Sequence, residues 1–329
     1  MPIFEIPQDL TLSGEPVPLK NQYVYEMLDR EFHLAVYDPA QVIMWLKRAN
    51  RYFPIVEGAL AETGLPDDLK YLAVAESSLK TYAYSSAGAA GMWQFIRTTG
   101  HRYGLKRTDH KDDRYDFERA TKAALRYLKD LYDIFGSWPL AMAAYNCGEE
   151  RVQREMKEQG VSSYYLLNLP LETERYIFRI LAAKIVLSDP ESYGYDPAKL
   201  RLYPPLESCR VSFTLKKTVH LRLIAEAAGT YYKEIRELNP SLRGRHLPPG
   251  VHWLLIPEAG ADGFKERLEK ELASAKPAPQ KSKSTRRYVV KKGDTLSEVA
   301  EKLSTSVKRL VRLNKLNGSR ITVGQVLLY

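Results

Sequence analysis

The sequence predicts a mainly α-helical chain that ends in small α+β modules. Two observations predict it. As far as about residue 187, apolar residues recur at three- and four-residue spacing between helix start and stop signals. Beyond residue 206, strand-like alternation gives way to two short helical patterns and then returns, and the chain does this twice. Its 329 residues leave room for one to three domains with a substantial core.

Residues 1–18 read as an extended arm containing proline and glycine, and a helix follows from about Asn21 to His33. The next helix has clearer signals. Asp38 suits the N-cap, Pro39 the first position and Gly64 the stop, with a long pattern to Thr63 interrupted at Pro54. Its expected core stripe is Ile43, Leu46, Ala49, Tyr52 and Phe53.

The stretch Leu65 to Leu79 organises the chain. Pro66 suits a first helical position, and Asp67 and Asp68 offset the positive end of the dipole. Leu69, Leu72, Ala73 and Glu76 then share one face, so a carboxylate lies on the apolar stripe. A glutamate held there loses solvation, its neutral form is favoured, and its pKa rises toward the range useful for proton donation. On periodicity alone, a glutamate at the stripe's edge that reaches water or pairs with an arginine fits as well. The run after Glu76 is unusual: Ser77 through Thr108 contains no Asp or Glu. Gly88 and Gly91 bracket a turn where backbone can approach a ligand, and Trp93 and Gln94 add a stacking surface and an amide.

An amphipathic helix after Asp116 carries the stripe Ala120, Ala123, Ala124, Tyr127, Leu128, Leu131 and Phe135, which reads as core. A short buried helix from Trp138 ends at Gly148, with Tyr145 and Asn146 near its end. Another opens after Leu169-Pro170 and runs to about Leu187, placing Glu172 and Tyr176 four apart on one face.

Three motifs in this order resemble the lytic murein transglycosylases with a goose-lysozyme-like catalytic domain. They are Glu76-Ser77 with Ser85 and Gly88 to Gln94; Ala144-Tyr145-Asn146-Cys147-Gly148; and Glu172-Thr173-Glu174-Arg175-Tyr176. The chain departs from the family at Glu174, where a basic residue is usual, and at Lys80-Thr81, where Asn/Asp-Pro is common. The resemblance covers about residues 60–190 and implies a lysozyme-like α-helical catalytic domain. It further implies Glu76 as general acid and then base, with Ser77, Ser85, Met92, Gln94, Tyr145, Asn146, Glu172 and Tyr176 as substrate-binding residues. The implied reaction cleaves the β-1,4 bond between N-acetylmuramic acid and N-acetylglucosamine of peptidoglycan without water, leaving a 1,6-anhydro end. No metal or cofactor is implied.

The last repeat resembles a lysin-motif (LysM) module, which implies glycan binding around Gly293, Asp294, Thr295 and Leu296. The earlier repeat is a diverged copy without that turn. The expected division is therefore an N-terminal arm and helical extension at 1–58 and a catalytic domain at 59–200. A degenerate LysM-like βααβ module at 206–258, a helix and flexible basic linker at 259–286 and a LysM module at 287–329 complete it.

The charge of +9, from 49 Lys and Arg against 40 Asp and Glu, points to an anionic partner. No helix-turn-helix, zinc-finger or RNA-binding signature is present, so nucleic acid is the weaker partner and a carboxylate-bearing wall polymer the better one. No run of eighteen apolar residues spans a membrane. The N-terminus is neither a signal peptide nor a lipidation site, so the cell-envelope setting, periplasmic or outer-membrane associated, is inferred from the substrate alone. Cys147 and Cys209 have no metal spacing, and one disulfide or two thiols fit equally. Two rival functions remain: a hydrolase (muramidase or chitinase) using Glu172 as second carboxylate, and a non-catalytic wall-binding protein.

Overall fold

Several helix starts in this chain are set by side chains that accept the backbone N–H groups a first turn leaves free. The computed structural model describes residues 2–274, 287–303 and 305–329. They fall into two compact units, Met1–Leu272 and Ala273–Tyr329.

The arm is a small hairpin, β1 (Thr11–Leu12) and β2 (Glu15–Pro16), whose Leu12 and Val17 enter the main core. Asn21 caps α1 (Gln22–Val36), and Asp38 caps α2 (Pro39–Thr63), accepting from Gln41 N at 3.0 Å. Helix α2 does not break at Pro54. The proline is exposed, and so is Asn50, whose carbonyl loses its helical donor, so water can satisfy it. The buried stripe is also rotated from the expected one: Val42, Trp45, Leu46, Ala49, Val56 and Leu60 are inside, while Ile43, Tyr52 and Phe53 lie half-buried beside it. Outward placement of the proline ring turns the opposite face to the core.

A single 3-10 turn, Asp67–Leu69, precedes α3 (Lys70–Ser77). Next come α4 (Arg97–Arg102), α5 (Phe117–Phe135) capped by Asp116 and ended at Gly136, and α6 (Trp138–Cys147). Glu15 caps α6 from afar: it accepts from Trp138 N and, at 2.8 Å, from the Ser137 hydroxyl. Helices α7 (Glu149–Gln159) and α8 (Leu171–Ser188) complete this part. Neither α4 nor α7 is expected from the sequence. α4 has no apolar residue, and α7 buries only Val152, so neither carries a periodic signal.

The following module pairs β3 (Ser208–Leu215) antiparallel with β6 (Gly250–Pro257), enclosing α9 (Leu221–Ala227) and α10 (Tyr232–Leu238). A second short ladder joins β4 (Val219–His220) to β5 (His246–Leu247). Helix α11 (Phe264–Ser274) adds Phe264 and Leu268 to the module's own core. The C-terminal unit repeats the plan with β7 (Arg287–Val289), α12 (Leu296–Lys302), α13 (Val307–Asn314) and β8 (Val326–Leu328). One clamp occurs in both. Asn239 donates to Ile235 O and Leu255 O and accepts from Leu255 N, and Asn314 does the same with Leu310 and Leu328. The mainly α fold with small βααβ modules is therefore as expected. The basic stretch Lys276 to Ser284 lies outside the described residues.

A buried ion pair holds the turn between α3 and α4. Arg114, 4% exposed, pairs bidentately with Asp112, 1% exposed, through Nε at 3.0 Å and Nη2 at 2.9 Å. Its remaining nitrogen, Nη1, donates to Gly88 O at 2.8 Å and Phe95 O at 3.0 Å, closing the 88–95 turn at both ends. Gly91 lies so close beneath that an added Cβ would sit 1.9 Å from Arg114 O. Breaking a buried pair from one side typically costs about 3–5 kcal/mol. Arg114→Met is expected to lower unfolding free energy by about that amount in urea titration. A loss under about 1 kcal/mol would show that the pair does not hold the turn.

Candidate functional site

Helix α3 ends one residue after Glu76, and the chain then turns sharply through two left-handed residues, Ser78 (φ +52°) and Leu79 (φ +59°). The buried Leu79 side chain anchors that turn. Glu76 is thereby left on the floor of a cleft of about 910 Å³, walled by the 85–99 segment, the α6–α7 junction and one side of α8.

The Glu76 carboxyl is crowded though not sealed from the cleft. Desolvation pushes its pKa up to about 7, and the negative Glu172 adds to the rise. Two groups oppose it: the Tyr176 hydroxyl, which donates to Glu76 Oε1, and the Arg179 guanidinium. Burial, with the nearby Glu76 charge, holds the Tyr176 and Tyr145 hydroxyls well above the usual tyrosine range, so both remain protonated donors.

Of the residues singled out in the sequence, Glu76, Ser85, Gln94, Tyr145, Asn146, Glu172 and Tyr176 all line this cleft. The Ser85 hydroxyl accepts from Ala89 N at 3.0 Å. Gln94 sits at φ +47° and donates to Gly91 O at 2.7 Å. Tyr145 donates to Trp93 O at 2.7 Å, and Asn146 accepts from the Thr173 hydroxyl at 2.9 Å, tying α6 to α8.

Three expectations are corrected. Trp93 offers no stacking surface: it is fully buried, with Nε1 donating to the Thr121 hydroxyl at 2.9 Å. Met92, 2% exposed, packs in the core and does not line the cleft. The Ser77 hydroxyl is turned back on the helix, donating to Ala73 O at 3.2 Å. For Met92 and Trp93 the tight turn is the reason, because positive φ at Gly91 and Gln94 sends the side chains between them inward. For Ser77 it is the free carbonyl one helical turn back, which a serine hydroxyl readily takes.

The cleft also contains residues that sequence reasoning missed. Arg102 from α4, Tyr127 from α5, and Glu149, Glu150, Arg151 and Arg154 from α7 also line it. Arg102 pairs with Glu149 at 2.7 Å, and the Tyr127 hydroxyl donates to Glu149 at 3.1 Å. The acid-free run after Glu76 therefore does not leave a cleft with one carboxylate. Arg179 had a usable signal, since it lies one helical turn beyond Tyr176. Its other partner, Glu31 of α1, lies 3.6 Å from Arg179 Nε and 2.6 Å from Arg175 Nε.

In the C-terminal unit, Gly293 (φ +94°) opens the turn, and Asp294 accepts from Lys291 N at 2.8 Å and the Tyr288 hydroxyl at 2.7 Å. Thr295 and Glu298 cap α12 reciprocally. Leu296 is buried as the first apolar residue of that helix, so its side chain is core rather than surface. Among the described residues, no three His, Cys, Asp or Glu are grouped to hold a metal ion, and no helix is long and apolar enough to cross a membrane. Cys147, in the cleft wall, and Cys209 are both free thiols.

Comparison with known proteins matches this build. Residues 54–168 match the transglycosylase SLT domain, 212–273 the LysM-like domain of lytic transglycosylase MltD, and 288–328 the LysM domain. The chain is 35% identical over 291 residues to membrane-bound lytic murein transglycosylase D of Escherichia coli (strain K12), covering 85% of this chain and 63% of that protein. It is 46% identical over 59 residues to an endolysin of Bacillus phage B103, covering 17% of this chain and 22% of the endolysin. The chain thus spans under two thirds of either relative. The transglycosylase SLT domain is therefore what residues 54–168 are similar to, and over most of its length the chain resembles lytic murein transglycosylase D.

Proposed function

We propose that this protein is a lytic transglycosylase of the cell envelope that cleaves the MurNAc–GlcNAc bond of peptidoglycan and leaves 1,6-anhydro ends. The observation that carries this reading is Glu76, a carboxyl whose surroundings push its pKa up to about 7 in a cleft of about 910 Å³. Near neutrality it is available in either form. Protonated, it gives its proton to the glycosidic oxygen. Ionised, it takes the proton from the muramyl C6 hydroxyl as that oxygen closes on C1. Tyr176 holds the carboxyl in place through its hydrogen bond. Ser85, Gln94, Tyr145, Asn146 and Glu172 position the sugars, and the C-terminal module holds the polymer through the turn at Gly293, Asp294 and Thr295. The division into an extension at 1–58, a catalytic domain at 59–200 and the two modules belongs to the same reading.

One observation favours a second reading. Glu172 is exposed in the cleft and near enough for its charge to act on Glu76, so it could activate water and make the enzyme a muramidase. Sacculi digested in water enriched in heavy oxygen separate the two. Anhydro-ended muropeptides without label are expected, because the C6 hydroxyl is already tethered beside the reacting carbon. Labelled reducing ends as the main product would replace the first reading with the second.

Glu76→Gln is expected to lower turnover by at least about 10²–10⁴-fold, since both proton transfers are lost. The same variant has a stability signature. The folded pKa of about 7 lies above the ordinary carboxyl value of 4.5, so the folded protein binds the extra proton and loses stability as pH rises between those values. Glu76→Gln removes that loss. Its melting temperature should exceed the parent's at pH 8 and match it near pH 4. Equal melting temperatures at pH 8 would contradict the raised pKa.

Removing residues 287–329 should weaken retention on insoluble peptidoglycan while leaving turnover of short soluble fragments unchanged, because a linked module raises effective concentration only on a polymer. Equal sedimentation of both forms with sacculi would deny the module a binding role.

A further inference from the structure

The first βααβ module does not stand apart from the helical domain. The segment Ser241–Arg243, just after α10, runs antiparallel to the loop at 107–116. Asp112 N donates to Ser241 O at 2.8 Å, Arg243 N donates to His110 O at 2.8 Å, and Lys111 and Leu242 form the bridge between them. Ser241 and Leu242 are buried in this contact. Arg210 of β3 adds a second tie, with Nη2 at 2.9 Å from Glu118 and 3.3 Å from Asp116, the residue that caps α5. The Tyr82 hydroxyl adds a third, donating to Arg236 O at 3.1 Å.

The opposite side of the same loop faces the cleft wall. Asp112, whose N–H is bonded to the module, is also the carboxylate that orients Arg114. Arg114 in turn closes the 88–95 turn at Gly88 O and Phe95 O, and Gly91 packs directly on its carbonyl. That turn carries Gln94, and Ser85 is bonded to it through Ala89. A loop of irregular backbone cannot place buried polar groups alone, and here its outward hydrogen-bonding edge is completed by the module.

The repeat comparison supports a changed role. Aligned on the Asn239 and Asn314 clamps, the Gly293–Thr295 turn corresponds to Thr218–His220. In the first module that stretch is drawn into the β4–β5 ladder with Val219 buried.

We propose that the first module is a fixed brace for the cleft, in which Ser241–Arg243 and Arg210 hold the 107–116 loop and thereby position, through Asp112 and Arg114, the turn bearing Ser85 and Gln94. Arg210 and Arg243 are positioning residues, since they act through this loop.

The test uses the full chain and two readouts, one independent of the proposed activity on which the other rests. Arg210→Glu sets a carboxylate against Asp116 and Glu118, and Arg243→Pro deletes the N–H given to His110. Hydrogen exchange of amides 83–95 should quicken roughly tenfold in both, with α5 and the β3–β6 ladder unchanged. On a soluble peptidoglycan fragment too short to reach the module, KM should rise roughly three- to tenfold with kcat nearly constant, and Arg210→Lys should restore it. If Arg210→Glu also opens α5, Arg210→Ala removes the ion pairs without adding repulsion and takes its place. Unchanged exchange at 83–95 in both variants overturns the brace. Quickened exchange in a protein without glycan-cleaving activity leaves the brace standing and overturns the activity instead.

Discussion

From Ile177 to Leu187, helix α8 has only Arg179 and Lys184 as charged residues, and a helix so largely apolar is stable only when other elements surround it. Its Ile177, Phe178, Ile180, Leu181, Ala182, Ile185 and Val186 are all buried. Helices α1, α2, α3 and α6 pack around it, and the N-terminal hairpin reaches it through Lys184, which donates to Thr11 O at 2.8 Å. Polar side chains of its first turns open onto the cleft as Glu172, Tyr176 and Arg179. One helix therefore supplies the centre of the core and a wall of the site. Site geometry then inherits the rigidity of close packing.

This arrangement explains why Glu76 is held where an ionised carboxylate is disfavoured. α3 must lay its apolar face against α8, and Glu76 belongs to the same helical surface as Leu72 and Ala73. The Tyr176 hydrogen bond and Arg179 offset part of the desolvation but not all of it. A group left in this balance titrates near neutrality, and strongly perturbed acids of that kind concentrate at functional sites. Glu31 is a buried carboxylate of another kind, set among arginines. It faces Arg30, Arg175 and Arg179 and forms a structural ion-pair centre.

The βααβ modules show one plan adapted to two contexts. The asparagine clamp joins the end of the second helix to the returning strand in both, which keeps the small cores closed. Outside the clamp they diverge. The C-terminal module keeps a glycine-led turn with a reciprocal cap, whereas the first has polar edges that meet the helical domain. Small cores are marginal by themselves, and docking to a larger neighbour is one way such a module becomes rigid.

Local sequence encodes the helices with caps and apolar stripes, the two repeats, and Glu76 with the turn beyond it. Each of these is written in local spacing: a cap with its N–H groups, a stripe at period 3.6, a motif confined to neighbouring positions. Tertiary structure alone decided the rest. α4 and α7 have no apolar face to announce them, yet they bring Arg102, Glu149, Arg151 and Arg154 to the cleft. Trp93 reads as a ligand-facing aromatic until Gly91 and Gln94 take positive φ and turn it inward. The loop that carries Asp112 and Arg114 is completed by Ser241, far along the chain. No local pattern encodes such contacts, because they depend on burial and hydrogen-bond completion that exist only once the chain has folded.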